Sequence, residues 1–353
     1  MIITIGKLKI GRGKPVRFIA DIGANHDGDL GRAKGLIELA RDSGADIVKF
    51  QNFRADSIVS DYGFKMLGKT AHQLSWQESV YKVYEDASLP FEWIPLLKEH
   101  CDSVGVEFMS TPYDYVAVDA LAPYVNAFKI GSGDINWRDF IRYVALKKKP
   151  VIISCGATYE HEVGLAITWI RDFTPEVVLL QCNTNYTGDP ENYKYSNLRA
   201  MRSMGDNFRI EVGLSDHTWG MTTIQGAVTL GACLIERHFT DDNGRIGPDH
   251  AFALEPVGWR EMVESVRKLE QALGDGQKEV EENERESRIV QRRCLRANRK
   301  LFVGDIIVRD AVSILRPAPL NSIEPNRLQE ILNRPVIRDI EAGEHFTWGN
   351  NVG

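Results

Sequence analysis

The chain has 353 residues, 43% hydrophobic and 26% charged, the proportions of a globular protein and not of a disordered one. Its 43 Lys and Arg against 49 Asp and Glu leave a formal charge of −6, so no overall cationic surface exists to condense on phosphate backbones, and nucleic acid is not an expected partner. No apolar run approaches the roughly 20 residues of a membrane helix, which excludes a membrane partner in the same way.

The opening segment, MIITIGKLKIGRGKP, alternates apolar and polar positions and lacks the continuous apolar core of a secretion signal, so a reducing cytoplasm is expected. Cys101, Cys155, Cys182, Cys233 and Cys294 are widely spaced without a CxxC, and are expected to be buried free thiols. The triplet Asn185-Tyr186-Thr187 fits a glycosylation sequon, which carries no weight without a secretion signal.

Short β-branched or aromatic runs then alternate with longer helical patterns. The strand candidates are Arg17–Ile22, Asp46–Gln51, Val106–Met109, Ala127–Ile130, Pro150–Ser154, Val177–Gln181, Arg209–Gly213 and Cys233–His238. Helical patterns follow them, for example Leu30–Ser43, Trp93–Ser103, Trp137–Lys147 and Val257–Leu273, with one long insertion between Asn52 and Pro90. Eight βα pairs predict an α/β fold, a (β/α)8 TIM barrel over residues 1–276. A doubly wound open sheet is the alternative, but no GxGxxG follows the first strand.

Residues 277–293, KEVEENERESRIVQRR with its leading Gln, are charged without an apolar face and read as an extended linker or solvated helix. From Cys294 to Gly353 the chain shows short strand-like runs, turns at Phe302–Asp305 and Ala342–Glu344, and a helical pattern near Leu328–Leu332. This small β-rich module has few apolar residues for a core of its own and is expected to dock on something.

In such a barrel the chemistry collects where the strands end. The polar residues there are Asp21 with Asn25 and His26, Lys49 and Gln51, Ser110 and Thr111, Lys129 with Ser132 and Asp134, Ser154, Thr184 to Tyr186, Ser215 with His217, and His238 followed by Asp249 and His250. A single Lys or Ser at a strand end is ordinarily solvated rim; convergence of all the strands on one mouth favours a site. His217 and His238, ending neighbouring strands, could bind a divalent metal such as Mn, Fe, Co or Zn, although either alone reads as a hydrogen-bonded structural residue. Lys49 and Lys129 beside Thr111, Ser132, Ser154 and Ser215 would satisfy a phosphate and a carboxylate, as in a phosphorylated carboxylic acid. A Schiff-base lysine is the competing reading. Asp21, Asp134 and Asp249 are acid or base candidates, or ion-pair partners of the lysines.

The segments IADIGANHDGDL, GADIVKFQ, FMSTPYD, AFKIGSGDIN, PVIIS, VGLSDHTWG, GACLIERHFT with GPDH, and the late ILRP stand in the order and spacing of a known family. Over nearly its whole length the chain resembles the sialic acid (nonulosonic acid) synthase family. The resemblance implies a metal-dependent barrel enzyme that condenses phosphoenolpyruvate with an N-acetylmannosamine-type sugar, followed by a small antifreeze-like (SAF) domain. It implies His217 and His238 as metal ligands, with Mn the expected ion and Mg, Co or Fe the alternatives. Lys49, Thr111, Lys129, Ser132, Ser154 and Ser215 would clamp phosphoenolpyruvate; Gln51, Thr184, Tyr186, Asp249 and Arg316 would meet the sugar. Arg316 would come from the partner in a domain-swapped homodimer. The main alternative is a metal-dependent aldolase on the same barrel; a carbohydrate-binding tail on a degenerate barrel is a third reading.

Three places depart from the family pattern. Asp21 stands where Glu is common, QCNTNYTGDP has no Pro after Tyr186, and RPAPLNSIEP lacks the usual RPGxGI glycines. The acceptor is therefore left open among N-acetylmannosamine, its 6-phosphate, and 2,4-diacetamido-trideoxy sugars leading to legionaminic or pseudaminic acid.

Overall fold

The alternation at the N-terminus folds as a hairpin, in which β1 (Ile3–Ile5) pairs antiparallel with β2 (Leu8–Ile10) around Gly6 at φ +56°. In this computed structural model, residues 1–70, 73–74, 76–186 and 189–353 are described; Ala71, His72 and Ser75 of the insertion lie outside the described residues, as do Gly188 and Thr187, which closes the sequon-like triplet. Ile3, Ile5 and Ile10 are buried in one apolar cluster with Ile19, Ile47, Met109, Ile152, Val178 and Leu234. The hairpin therefore stops the end of the barrel at which the strands begin.

The barrel strands are β3 (Arg17–Asp21), β4 (Ile47–Asn52), β5 (Glu107–Pro112), β6 (Phe128–Ile130), β7 (Val151–Ser154), β8 (Val177–Cys182), β9 (Glu211–Ser215) and β10 (Leu234–His238). They form an 8-stranded sheet in the order β5-β4-β3-β10-β9-β8-β7-β6, with every ladder parallel. β5 and β6 lie side by side, so the order is a circuit, the arrangement of a TIM barrel and not of an open doubly wound sheet. Most expected strands are found within two residues of their limits. The expected Arg209 start moves to Glu211 because Arg209, at φ 52° in the left-handed region, ends the preceding helix Leu198–Phe208. The Asn52–Pro90 insertion contains helices Ala55–Ile58, Asp61–Leu67 and Val80–Ala87, the last two capped by the hydroxyls of Ser60 and Ser79.

Side chains alternate across each strand, and this alternation sorts the barrel's two faces. Phe18, Ala20, Val48, Phe50, Ile130 and Ile153 face the helices in the larger apolar cluster. The opposite parity changes character along the strands: Ile19 is followed by Asp21, Ile47 by Lys49, Met109 by Thr111, Ala127 by Lys129, Ile152 by Ser154, and Leu234 by Glu236 and His238. One register step thus converts an apolar barrel floor into a charged mouth. At Gly213 the interior has no room for a side chain, since a Cβ there would stand 2.2 Å from the carbonyl oxygen of Leu234.

The chain divides into two compact units, Met1–Gly274 and Asp275–Gly353. In the second, a solvated helix, Arg285–Gln291, precedes β11 (Cys294–Ala297) and β12 (Val312–Leu315), which pair antiparallel; a short helix follows at Leu328–Ile331. Contrary to the expectation of a poor core, this unit buries Leu295, Leu301, Ile307, Ile323, Val336, Ile340, Phe346 and Val352 together, because its turns fold apolar residues from distant segments inward. All five cysteines are buried and free. No helix among the described residues is long and apolar enough to cross a membrane.

Candidate active site

Four buried charges form the floor of the mouth. Lys49 Nζ donates to Asp21 Oδ2 at 2.7 Å and lies 3.3 Å from Thr111 Oγ1. Lys129 Nζ donates to Ser154 Oγ at 2.7 Å and to the carbonyl of its neighbour Ile130 at 3.1 Å. Between the two ammonium groups stands Glu236, whose Oε1 is 3.9 Å from Lys49 and 3.7 Å from Lys129 and accepts from Ser215 Oγ at 3.4 Å. Its Oε2 is buried without a hydrogen-bond partner. Ser132 closes the set, with its Oγ accepting from the Gly156 amide at 2.9 Å. The six residues expected at the phosphate and carboxylate end are thus brought to one place.

Burial and charge act in opposition here. For Asp21, burial pushes the carboxyl up, but the Lys49 ammonium and the neighbouring His238, with the Lys49 and Gln51 hydrogen bonds, prevail and hold it below its ordinary value. Lys129 is lowered by burial, partly offset by Glu236. Asp134, on the turn after β6, is raised to about 6 by burial against the pull of Lys129, and its Oδ2 is buried without a partner. Of the three proposed carboxylates, Asp134 alone combines an unpartnered oxygen with a value suited to proton transfer near neutrality. Asp249 instead accepts from the Ala24 amide at 3.0 Å.

Above the charges, one register step along the strands, His217 and His238 face each other with ring centroids 5.6 Å apart. Burial and the neighbouring His238 lower His217 to about 3, so its ring is neutral; its Nδ1 meets the Asn183 carbonyl at 3.0 Å. His238 Nδ1 is buried without a hydrogen-bond partner, 3.8 Å from Asp249 Oδ2. A neutral His217 beside an orphaned ring nitrogen on His238 fits a metal site. Among the described residues no group of three or more His, Cys, Asp or Glu is arranged to hold an ion, so a metal here would take its other ligands from water or substrate.

A cavity of about 160 Å³ opens beside the histidines. Gln51, Tyr186, Asp249 and His238 line one side, and Phe53, Ile58, Val83, Tyr84, Ala87 and Tyr113 the other. Tyr186 packs against His217 at 4.3 Å. Thr184 does not reach the cavity; its methyl group fills the space over Gly156. Arg316 belongs to the second unit, where it is exposed. Three strand-end residues are structural: Asn25 Nδ2 donates to the Phe239 carbonyl, His26 Nδ1 accepts from the Gly28 amide, and His250 bridges Thr240 and Asp27.

Sequence reasoning missed Glu236 and the insertion's wall. Glu236 was readable, since it lies two residues before His238 on β10 and must share its face. The wall was not, because the spacing of Phe53, Val83 and Ala87 along a helical insertion gives no sign of which face meets the mouth.

A family model described as the NeuB family matches residues 36–278. The chain is 36% identical to the N,N'-diacetyllegionaminic acid synthase of Legionella pneumophila over 94% of this chain and 93% of that one. It is 32% identical to a pseudaminic acid synthase of Campylobacter jejuni, covering 94% and 95% respectively. A crystal structure of N-acetylneuraminic acid synthetase from Leptospira borgpetersenii superposes with a TM-score of 0.71 at 29% identity, covering 81% of this chain and 95% of that one.

Proposed function

The chain belongs to the NeuB family, and on that premise we propose that it is a nonulosonic acid synthase, condensing phosphoenolpyruvate with an N-acetylmannosamine-type sugar and water to give a nine-carbon 2-keto acid and phosphate. The observation that carries this reading is the pair of buried ammonium groups, Lys49 and Lys129, set among hydroxyls beneath two imidazoles. Asp21 and Glu236 keep those cations compensated before substrate arrives, which avoids an unpaired buried charge.

Lys49, Thr111, Lys129, Ser132, Ser154 and Ser215 would grip the phosphate and carboxylate of phosphoenolpyruvate through charge-assisted hydrogen bonds. His217 and His238 would hold a divalent metal, manganese being the expected ion, which supplies Lewis-acid polarisation of the acceptor's aldehyde. Held in this way, C3 of phosphoenolpyruvate bonds to the aldehyde carbon. Water then adds at C2, and phosphate leaves by cleavage of the C2–O bond. Asp134 takes the proton of the entering water, a task that suits a carboxylate raised to about 6. Gln51, Tyr186 and Asp249 would orient the sugar from the strand side of the cavity.

The C-terminal unit would serve as an antifreeze-like lid, with Arg316 reaching the barrel mouth of a second copy in a swapped homodimer; the ILRP segment supports this assignment. An aldolase on this barrel would keep the histidines without needing the lysine and hydroxyl clamp. Purified protein with phosphoenolpyruvate, manganese and a panel of acceptor sugars should release phosphate in step with a 2-keto acid seen by mass spectrometry. Sugar cleavage without a need for phosphoenolpyruvate would favour the aldolase.

A further inference from the structure

We infer that the buried ion pair between Asp216 and Arg237 is a brace that fixes His217 relative to His238, so that both residues act as positioning residues for the divalent metal although neither faces the mouth. This rests on the reading of the two histidines as metal ligands.

The two histidines are held in different ways. His238 is the last residue of β10 and stands in the ladder opposite Asp21 of β3. His217 lies two residues beyond Ser215, where the ladder between β9 and β10 ends with Ser215 opposite Glu236. The sheet therefore sets His238 and leaves His217 on a loop, residues 216–220. Asp216 directly precedes His217, and Arg237 directly precedes His238. Both belong to the outward parity, that of Leu214 and Ile235 in the cluster facing the helices, one position past the last ladder pair. There Arg237 Nη1 is 3.6 Å from Asp216 Oδ2, with the two side chains only 2% and 3% exposed.

The pair takes hold of the loop's backbone. Arg237 Nη1 donates to the Gly220 carbonyl at 2.7 Å, and Nη2 donates to the Thr218 carbonyl. The Tyr193 hydroxyl donates to the Trp219 carbonyl between them. Asp216 accepts from the Thr218 amide at 3.3 Å, from the Thr218 hydroxyl at 2.9 Å and from the Thr223 hydroxyl at 3.2 Å. Three successive carbonyls are thus engaged, two of them by the side chain next to His238. A buried ion pair adds little net stability by itself. What this one does is tie the loop that carries one histidine to the strand that carries the other, at a ring spacing of 5.6 Å. Residues that orient metal ligands from behind change metal affinity by about 10- to 100-fold when altered.

The test reads manganese affinity from the electron paramagnetic resonance signal of the free ion. Arg237→Lys keeps the charge and loses the two-pronged grip on the carbonyls, and should raise the manganese Kd about 10- to 100-fold. Tyr193→Phe and Thr223→Val each remove one hydroxyl, leave the ion pair in place and should raise it roughly 3- to 10-fold. Saturating manganese should return kcat and the KM for phosphoenolpyruvate to within about threefold of wild type, a split that general damage to the mouth would not give. Folded Arg237→Lys with a manganese Kd within about twofold of wild type overturns the inference, as does a loss of kcat that saturating manganese does not mend. If Arg237→Lys does not fold, the two hydroxyl variants decide on the same criteria. Each of these failures leaves the metal reading standing. Wild-type protein that binds no manganese overturns the metal reading, and this one with it.

Discussion

Lys49 gives its ammonium to Oδ2 of Asp21 across 2.7 Å, and each side chain is only 3% exposed. A buried pair of this kind adds little net stability while intact, yet losing one partner strands the other. Asp21→Asn should therefore lower unfolding free energy by about 3 kcal/mol, read as a shift in urea midpoint. A shift below about 0.5 kcal/mol would mean that Glu236, 3.9 Å from Lys49, compensates the cation alone.

His217→Ala and His238→Ala should each abolish manganese-dependent turnover and weaken manganese binding measured by electron paramagnetic resonance. The fold should survive, because both rings stand at the barrel mouth and not in its apolar floor. Activity that persists in exhaustively chelated wild type would remove the metal from the mechanism.

Asp134 carries the pH prediction. Its carboxyl is held at about 6 by burial, so the proton-accepting form is lost as pH falls through that value. The rate should rise with pH across about 6 on its acid limb, and Asp134→Asn should flatten that limb while lowering kcat by about 10²- to 10⁴-fold. An acid limb retained in Asp134→Asn assigns the proton to another group.

The swapped lid can be tested by complementation. Arg316→Ala and His217→Ala chains, each inactive alone, should recover part of the activity after subunit exchange, since a mixed dimer pairs one intact barrel with one intact arginine. No recovery would return Arg316 to its own chain's site.

The frame of the barrel was legible because each strand is a short apolar run bounded by turns, and its ends could be placed to within a residue or two at β3, β7 and β10. The charged floor was legible as well, since Lys49, Lys129 and Ser154 each follow an apolar residue of the same parity. What sequence alone did not separate was a polar residue that serves the site from one that ties loops together. Asn25, His26 and His250 follow their strands at much the same remove as Asp134 and Asp249 follow theirs, but their partners are the Phe239 carbonyl, the Gly28 amide and the Thr240–Asp27 pair, all distant or local contacts that only folding defines. Asp134 and Asp249 likewise differ in environment and not in pattern.

The hairpin that stops the barrel's base leaves the mouth as the way in, and this dictates an order of events. Lys49 and Glu236 lie two residues behind Gln51 and His238 on their strands, which on the proposed reading would set the phosphate-binding layer about 7 Å beneath the sugar cavity. A sugar that arrives first would then cork the passage to the lower layer, so on this reading phosphoenolpyruvate would bind first. In steady-state kinetics an unreactive sugar analogue should then inhibit uncompetitively against phosphoenolpyruvate, whereas a competitive pattern would mean that free enzyme accepts the sugar.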